Sequence, residues 1–600
     1  MNRNATLLLL VSVCAAPAIA AEIPANAKAP FAQSLAGAKN TKAMALEYLA
    51  RHVPTVLKAQ REDGAFFPFP EWKNPSRYHQ YCFYPLAYLY ATPEAGKFHR
   101  DPALLKAARA SISYASSTMK PDGRMPVHSR GDYWGDALDE WWTYFALETR
   151  QLIGAELPAE ENDLWSRSIR RSVEGCVQHV ERTLADPKFL GTDIAANHFA
   201  SYLLAVYRAG EIFAREDWRR LAESGFQRMI PLQQPGGYWS EGGGPTTAYN
   251  HITTWAISLY AQKSNNPSAW QAVRKAEAFH RAFTYPNGSP IETIDGRVRY
   301  HGCAPAFIPV GFCHSPDGQA YVQQQIASLM HHPLGAGAEG FGDGYLGYAF
   351  FTEVARHAGN IEAKPSPSVG AYTVPNQLAG IVRAQGWVCV ASAIVNPVTS
   401  ANRWWLERQQ HLSVWHSRTD LIVGGGNTRN QPLFSTLVVE DADGKILSHL
   451  AKAAGLRGVE PTKIELALTI ADEQVELFTE ILDAKTVRLT ALWRGPGKGR
   501  CVWQLPLWLT RSEGITAGGQ HHALAAQPLK LAGTAIGTEL THHHWRMRWD
   551  QATKAAFVWP VLPFNPYKRD GVVEPGAAQG VLRIPLTQAQ PTQVIITVQN

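Results

Sequence analysis

The sequence lacks what several classes of protein require. After residue 20 no stretch approaches the roughly 20 consecutive apolar residues that a membrane-spanning helix needs. Seven cysteines in 600 residues form no Cys-x-x-Cys pair and no Cys/His spacing of a zinc site. No metal and no other cofactor is therefore expected. The net charge of +6 is spread without a basic block or stripe, which argues against a nucleic-acid partner. It leaves room for an acidic substrate, since such a substrate needs a local basic cleft rather than a basic protein.

What is present begins with an export pattern. Arg3 supplies a positive start, Leu7 to Val13 an apolar run too short to span a bilayer, and Ala18-Ile19-Ala20 a small-residue cleavage site. Residues 1–20 are expected to be a signal peptide, and the mature protein periplasmic or secreted. Six cysteines follow it, of which Cys303 and Cys313 are close enough in sequence to pair in an oxidising compartment. Nineteen tryptophans are many for this length, and burial in large domains accounts for most. It does not account for Trp141-Trp142 and Trp404-Trp405, which sit among charges. Flat aromatic faces there suit the apolar faces of sugar rings.

Residues from about 40 to 360 carry apolar side chains at helical spacing, as in Met44, Leu46, Tyr48, Leu49, Val53, Val56 and Leu57. Further helical patterns fall near 78–91, 101–118, 136–153, 161–184, 194–213, 216–230, 248–263 and 267–283. Asp-Gly and Asn-Gly turn signals recur between them at roughly one helical hairpin's length. This predicts an (α/α) toroid over 21–361, a ring of hairpins whose loops gather round one cleft. Residues 362–372 read as a linker. Beyond it, alternating runs such as Trp387-Val-Cys-Val-Ala and Leu412-Ser-Val-Trp-His predict an antiparallel β-sandwich over 373–600.

Two segments carry candidate chemistry. The first is Gly236-Gly-Tyr-Trp-Ser-Glu-Gly-Gly-Gly-Pro-Thr-Thr-Ala-Tyr-Asn-His251, a glycine-rich loop entering a helix, which places Tyr249 and His251 at the helix start. The second, about fifty residues earlier, is Thr192-Asp-Ile-Ala-Ala-Asn-His-Phe199, which puts Asn197 and His198 at another helix start. Orphan amides and the helix dipole favour an anion there. A plain capped helix entry with a buried Tyr explains either segment taken alone.

Together they resemble the toroid polysaccharide lyases: the heparinase II/III-like enzymes, the related alginate lyases and, more distantly, the hyaluronate and chondroitin lyases. The resemblance implies a toroid followed by a β-sandwich, cleavage of a uronate-containing polysaccharide by β-elimination, and an acidic polysaccharide or oligosaccharide as partner. It implies that Asn197 and His198 neutralise the substrate carboxylate and that Tyr249 is the acid or base. A further His often comes from the β domain in the heparinase-like enzymes, and His411 in Arg403-Trp-Trp-Leu-Glu-Arg-Gln-Gln-His411 stands where such a residue is expected, although the family's His-Gly-His-Phe-Asp pattern is absent. Strand alternation puts His411 and Ser413 on one face and His416 on the other. Substrate contacts are expected from Trp134, Trp141, Trp142, Trp239, Glu241, His251, Arg403 and Trp405.

Two other readings stand beside this one. Asp136 and Glu140, four apart and expected on one helix face, or alternatively Glu241, would serve a toroid glycoside hydrolase that works with paired carboxylates. A non-catalytic glycan-binding protein would use the same tryptophans. The run His542-His543-His544 reads as surface, because adjacent strand residues point alternately.

Overall fold

The computed structural model describes residues 40–599 apart from 130, 187–195, 298, 333, 335–343, 360, 365–369, 376–377, 396–402, 551–553 and 574. The signal peptide and residues 365–369 of the linker therefore lie outside the described residues. Eleven α-helices lead the described chain: α1 (Thr41–Lys58), α2 (Phe83–Ala91), α3 (Pro102–Thr118), α4 (Glu140–Ile153), α5 (Ala159–Ala185), α6 (Ala196–Ile212), α7 (Glu216–Met229), α8 (Thr247–Ser264), α9 (Pro267–Ala282), α10 (Pro316–Met330) and α11 (Gly344–His357).

Side-chain pattern decides which helices line the ring. On α7 only Trp218, Ala222, Gly225, Phe226 and Met229 are buried, a single stripe at helical spacing. On α8 every residue from Thr247 to Ala261 is buried, so the helix is covered on all sides. Thus α2, α4, α6 and α8 pack side by side as an inner layer, with α3, α5, α7 and α9 against them from outside. Helices α11, α1 and α10 continue the ring past α2. Because each inner helix is followed by an outer one that reverses the chain, the inner helices start at the same end. The helical patterns in the sequence match these elements to within a few residues.

One element departs from the expected run of helices. A two-stranded hairpin, β1 (Met125–Ser129) and β2 (Asp132–Ala137), precedes α4. This corrects the placing of Asp136 on the helix with Glu140: α4 begins only at Glu140, where the Asp139 side chain caps the first turn by accepting from Trp142 N at 3.0 Å.

From Gly370 onward the described chain is antiparallel sheet, in one nine-stranded and one eleven-stranded sheet. Lys463–Ile470 and Thr486–Trp493 alternate buried with half-exposed residues, as strands covered on one face do. The strands Trp387–Ser392 and Leu412–His416 are buried on both faces. Cys389 and Val414 point into the sandwich core, while Val388, Val390 and Trp415 pack on Phe283, Tyr285 and Ile291 of the toroid. The two domains therefore share an apolar core at their junction. The expected Cys303–Cys313 bridge is absent, both being buried free thiols. His542 also departs from its surface reading: it is buried, with Nδ1 2.6 Å from the Gly514 carbonyl oxygen.

Candidate active site

The starts of α4, α6 and α8 lie together at the end of the ring that meets the sandwich. At the start of α6, Asn197 is fully buried, and neither its amide oxygen nor its amide nitrogen has a hydrogen-bond partner among the described residues. A buried amide left so costs on the order of 1–3 kcal/mol, so the site holds a group it does not itself satisfy. His198 beside it is 43 % exposed, with Nδ1 2.5 Å from Glu140 Oε1 at the start of α4. That contact leaves Nε2 free of it. Burial pushes the Glu140 carboxyl up, but His198 and Arg77 outweigh burial and hold it below its ordinary value. Trp141 lies under the His198 ring, stacked at 5.0 Å, with its Nε1 donating to Ser201 at 2.9 Å. It is buried and supports the imidazole from behind.

At the start of α8 the glycine-rich loop closes with Glu241 N donating to the Gly244 carbonyl at 2.9 Å. Gly242 has φ +65°, and a Cβ there would lie 3.0 Å from Cδ1 of the half-buried Trp405. Only glycine fits that turn against that indole. The α8 amides have no cap from their own segment. Asp295 supplies it, accepting from Thr247 N at 2.6 Å and Thr247 Oγ1 at 2.7 Å. The other Asp295 oxygen accepts from Arg297 N at 2.7 Å, so one carboxylate fixes both Arg297 and the helix bearing Tyr249. Arg408 of the sandwich, almost fully buried, donates to the Ile294 carbonyl at 2.7 Å and the Pro245 carbonyl at 3.1 Å, clamping both loops.

Arg297 lies over the Tyr249 ring at 3.8 Å and is ion-paired with Glu241. Burial works against its charge, but the nearby phenols and Glu241 keep it protonated. The Tyr249 hydroxyl is 2.6 Å from that of Tyr567, on the sandwich loop 562–571. Burial raises the Tyr249 pKa well above its ordinary value, and the opposing pull of Arg297 is smaller. Tyr567 is raised as well, again by burial. Both are phenols, not phenolates, at neutral pH.

The other expected residues divide. His411 continues the face on which Ser413 donates to Glu292 of the toroid at 2.7 Å, while His416 packs on Trp387 on the opposite face. His411 Nδ1 is 2.8 Å from the Ser392 carbonyl oxygen, and its buried Nε2 has no partner among the described residues. Burial lowers its pKa to about 4, so the ring is neutral, with Nδ1–H donating and Nε2 left as an acceptor. Half-buried Trp134 lies 5.5 Å from Trp404 and under Arg403 at 5.3 Å. Four expected substrate contacts are corrected by burial, the first being Trp141, 3 % exposed behind His198. Trp142 is 1 % exposed within the helical core. Trp239 is closed in, with Nε1 donating to the Met229 carbonyl. His251 is 1 % exposed, stacked on His280 at 3.8 Å and bonded to Tyr321 at 2.9 Å.

The carboxylates a hydrolase would need each have a side-chain partner: Asp136 has Lys120, Glu140 has His198 and Glu241 has Arg297. Nothing local in the sequence marks Arg297, Asp295, Arg408 or Tyr567 as parts of the site. The one available signal was an aromatic residue within a turn-rich basic stretch, Asn565-Pro-Tyr-Lys-Arg-Asp-Gly571.

No protein-family model matches the sequence, and no curated protein matches it. Solved structures do match its fold. The chondroitin AC lyase of Streptomyces coelicolor A3, in complex with chondroitin sulphate, aligns over 93 % of this chain and 79 % of its own at 12 % identity and a TM-score of 0.51. A heparinase III aligns over 94 % and 85 % at 11 % identity and a TM-score of 0.51. A Paenibacillus xanthan lyase aligns over 93 % of this chain and 57 % of its own at 9 % identity and a TM-score of 0.50. The chain thus has the toroid-plus-sandwich fold of the toroid polysaccharide lyases.

Proposed function

We propose that the protein is a polysaccharide lyase that cleaves a uronate-containing polysaccharide by β-elimination. The reaction removes the proton on C5 of a uronate, forms the C4–C5 double bond and expels the glycosidic oxygen from C4. The C5 proton is a weak acid until the neighbouring carboxylate charge is quenched. Asn197, with both amide atoms unpartnered among the described residues, and His198, held by Glu140, suit that carboxylate and the enolate-like charge that develops on it.

The observation that carries the proposal is the pair of phenols joined at 2.6 Å beneath a buried guanidinium. A phenol whose pKa lies above the working pH is a poor standing base. Two phenols in contact need no standing phenolate. Tyr249 takes the C5 proton as its own proton passes to Tyr567, and the Tyr567 proton goes to the leaving oxygen. Arg297 stabilises negative charge that appears on Tyr249 during the transfer. Every proton is accounted for, and the relay leaves both phenols neutral.

The test is incubation with alginate, polyglucuronate, chondroitin sulphate, heparan sulphate and xanthan while ultraviolet absorbance and reducing ends are both followed. A lyase yields one conjugated double bond for each new reducing end. Reducing ends without absorbance mean hydrolysis, and saccharide binding without either product means a binding protein.

A further inference from the structure

Beyond the proton-transfer group, aromatic rings and guanidinium groups alternate in a continuous chain across the two domains. Arg297 lies 5.5 Å from the Trp404 ring, Arg403 lies 5.7 Å from Trp404 and 5.3 Å from Trp134, and Arg569 lies 5.8 Å from Trp134. Trp134 belongs to the toroid hairpin β1–β2, and the other members beyond Arg297 belong to the sandwich. Hydrogen bonds tie the crossing down. Arg569 donates to the Tyr133 carbonyl of the hairpin at 2.5 Å. Arg403 donates to the Pro566 carbonyl at 2.9 Å and to the Lys568 carbonyl, holding the loop that carries Tyr567. Trp134 and Trp404 have ring centroids 5.5 Å apart, within the contact range of aromatic pairs, so no sugar ring passes between them. Trp404 is itself 5.3 Å from Tyr567, which sets this bar directly beside the phenol pair.

We propose that this crossing is a stop for the substrate chain, so that the enzyme removes units from a chain end instead of cutting within the polymer. A cleft that receives an internal segment must be open at both ends. Here the hairpin of one domain touches a loop of the other beside the reacting groups and closes one end. Arg403 and Arg569 place positive charge on the bar, which suits the acidic end of a uronate chain. The proposal rests on the uronate-lyase reading and deepens it from reaction type to mode of attack.

The experiment follows product length and solution viscosity through time on whichever polymer of the panel gains absorbance. The wild type should release a single short unsaturated product from the first time points, with viscosity falling slowly. An early ladder of oligosaccharides with collapsing viscosity overturns the proposal while leaving the lyase reading intact. Arg569→Ala, at an exposed residue, and the double variant Arg569→Ala/Trp134→Ala should shift early products toward mixed lengths. Should the folded double variant, checked by circular dichroism, still release the single short product, this crossing is not the stop. Absorbance gain on none of the polymers overturns the lyase reading and the stop with it.

Discussion

The two ends of the inner helices treat their polar groups in opposite ways. Toward the later turns, Glu148 of α4 is fully buried and meets Arg208 of α6, Arg356 of α11 and, at 4.0 Å, Lys263 of α8. Every charge there has a partner within the protein, and the cluster ties four helices together. At the starts of the same helices, Asn197 has no partner for either amide atom among the described residues, and His198 is held through Nδ1 by Glu140. Folding has equal access to both ends, so the difference marks a structural network at one and groups kept for a ligand at the other. Changes at the starts should cost turnover, and changes at Glu148 should cost stability.

The largest effect is expected at Tyr249. Tyr249→Phe removes one hydroxyl, breaks the relay with Tyr567 and should lower turnover by about 10²–10⁴-fold, read by the rate of absorbance gain. The ring and its Arg297 contact persist, so substrate affinity should change little. Glu148→Ala is the opposite case. It leaves buried guanidinium groups without their counter-charge and should cost roughly 3–5 kcal/mol in urea unfolding. The molecules that remain folded should retain turnover.

A smaller effect concerns pH. Burial lowers His411 to about 4 and His251 to about 3, so both stay neutral in the folded protein while the unfolded chain takes up protons near 6.5. The unfolded state then binds more protons. Stability is complete above about pH 6.5 and falls by ~1.4 kcal/mol per pH unit per histidine as pH drops toward about 4. Replacing His411 with Gln should flatten that slope by one histidine's share in unfolding measured across this range. The smallest effect is expected at Tyr260, buried on α8 and stacked on Phe226 at 4.0 Å. Tyr260→Phe should cost about 1 kcal/mol of stability at most and leave turnover unchanged.

Legibility in the sequence follows the same physics. Helices were readable because a stripe at 3.6-residue spacing is local, and the sandwich because period-two alternation is local. The hairpin was not, since Asp132–Ala137 has no buried residue and so no apolar alternation to read. The candidate residues at helix starts were legible from glycine, Asn, His and Tyr in short segments. Their neighbours Trp142 and His251 were misplaced because an inner helix is buried all round, so proximity in sequence to Tyr249 says nothing of facing the cleft. Arg297 and Tyr567 reach Tyr249 only through tertiary packing. The Tyr249–Tyr567 contact spans 318 residues, and no local pattern encodes it.

That Asn197 at the start of α6 is kept for the substrate carboxylate is tested most directly by measuring turnover and unfolding free energy on the same preparation of Asn197→Ala. This substitution removes a side-chain amide that makes no hydrogen bond among the described residues. The account predicts turnover lowered by about 10²–10³-fold, as for loss of a donor to a developing anion, with stability unchanged or slightly raised. A variant that loses stability and keeps its turnover would contradict it.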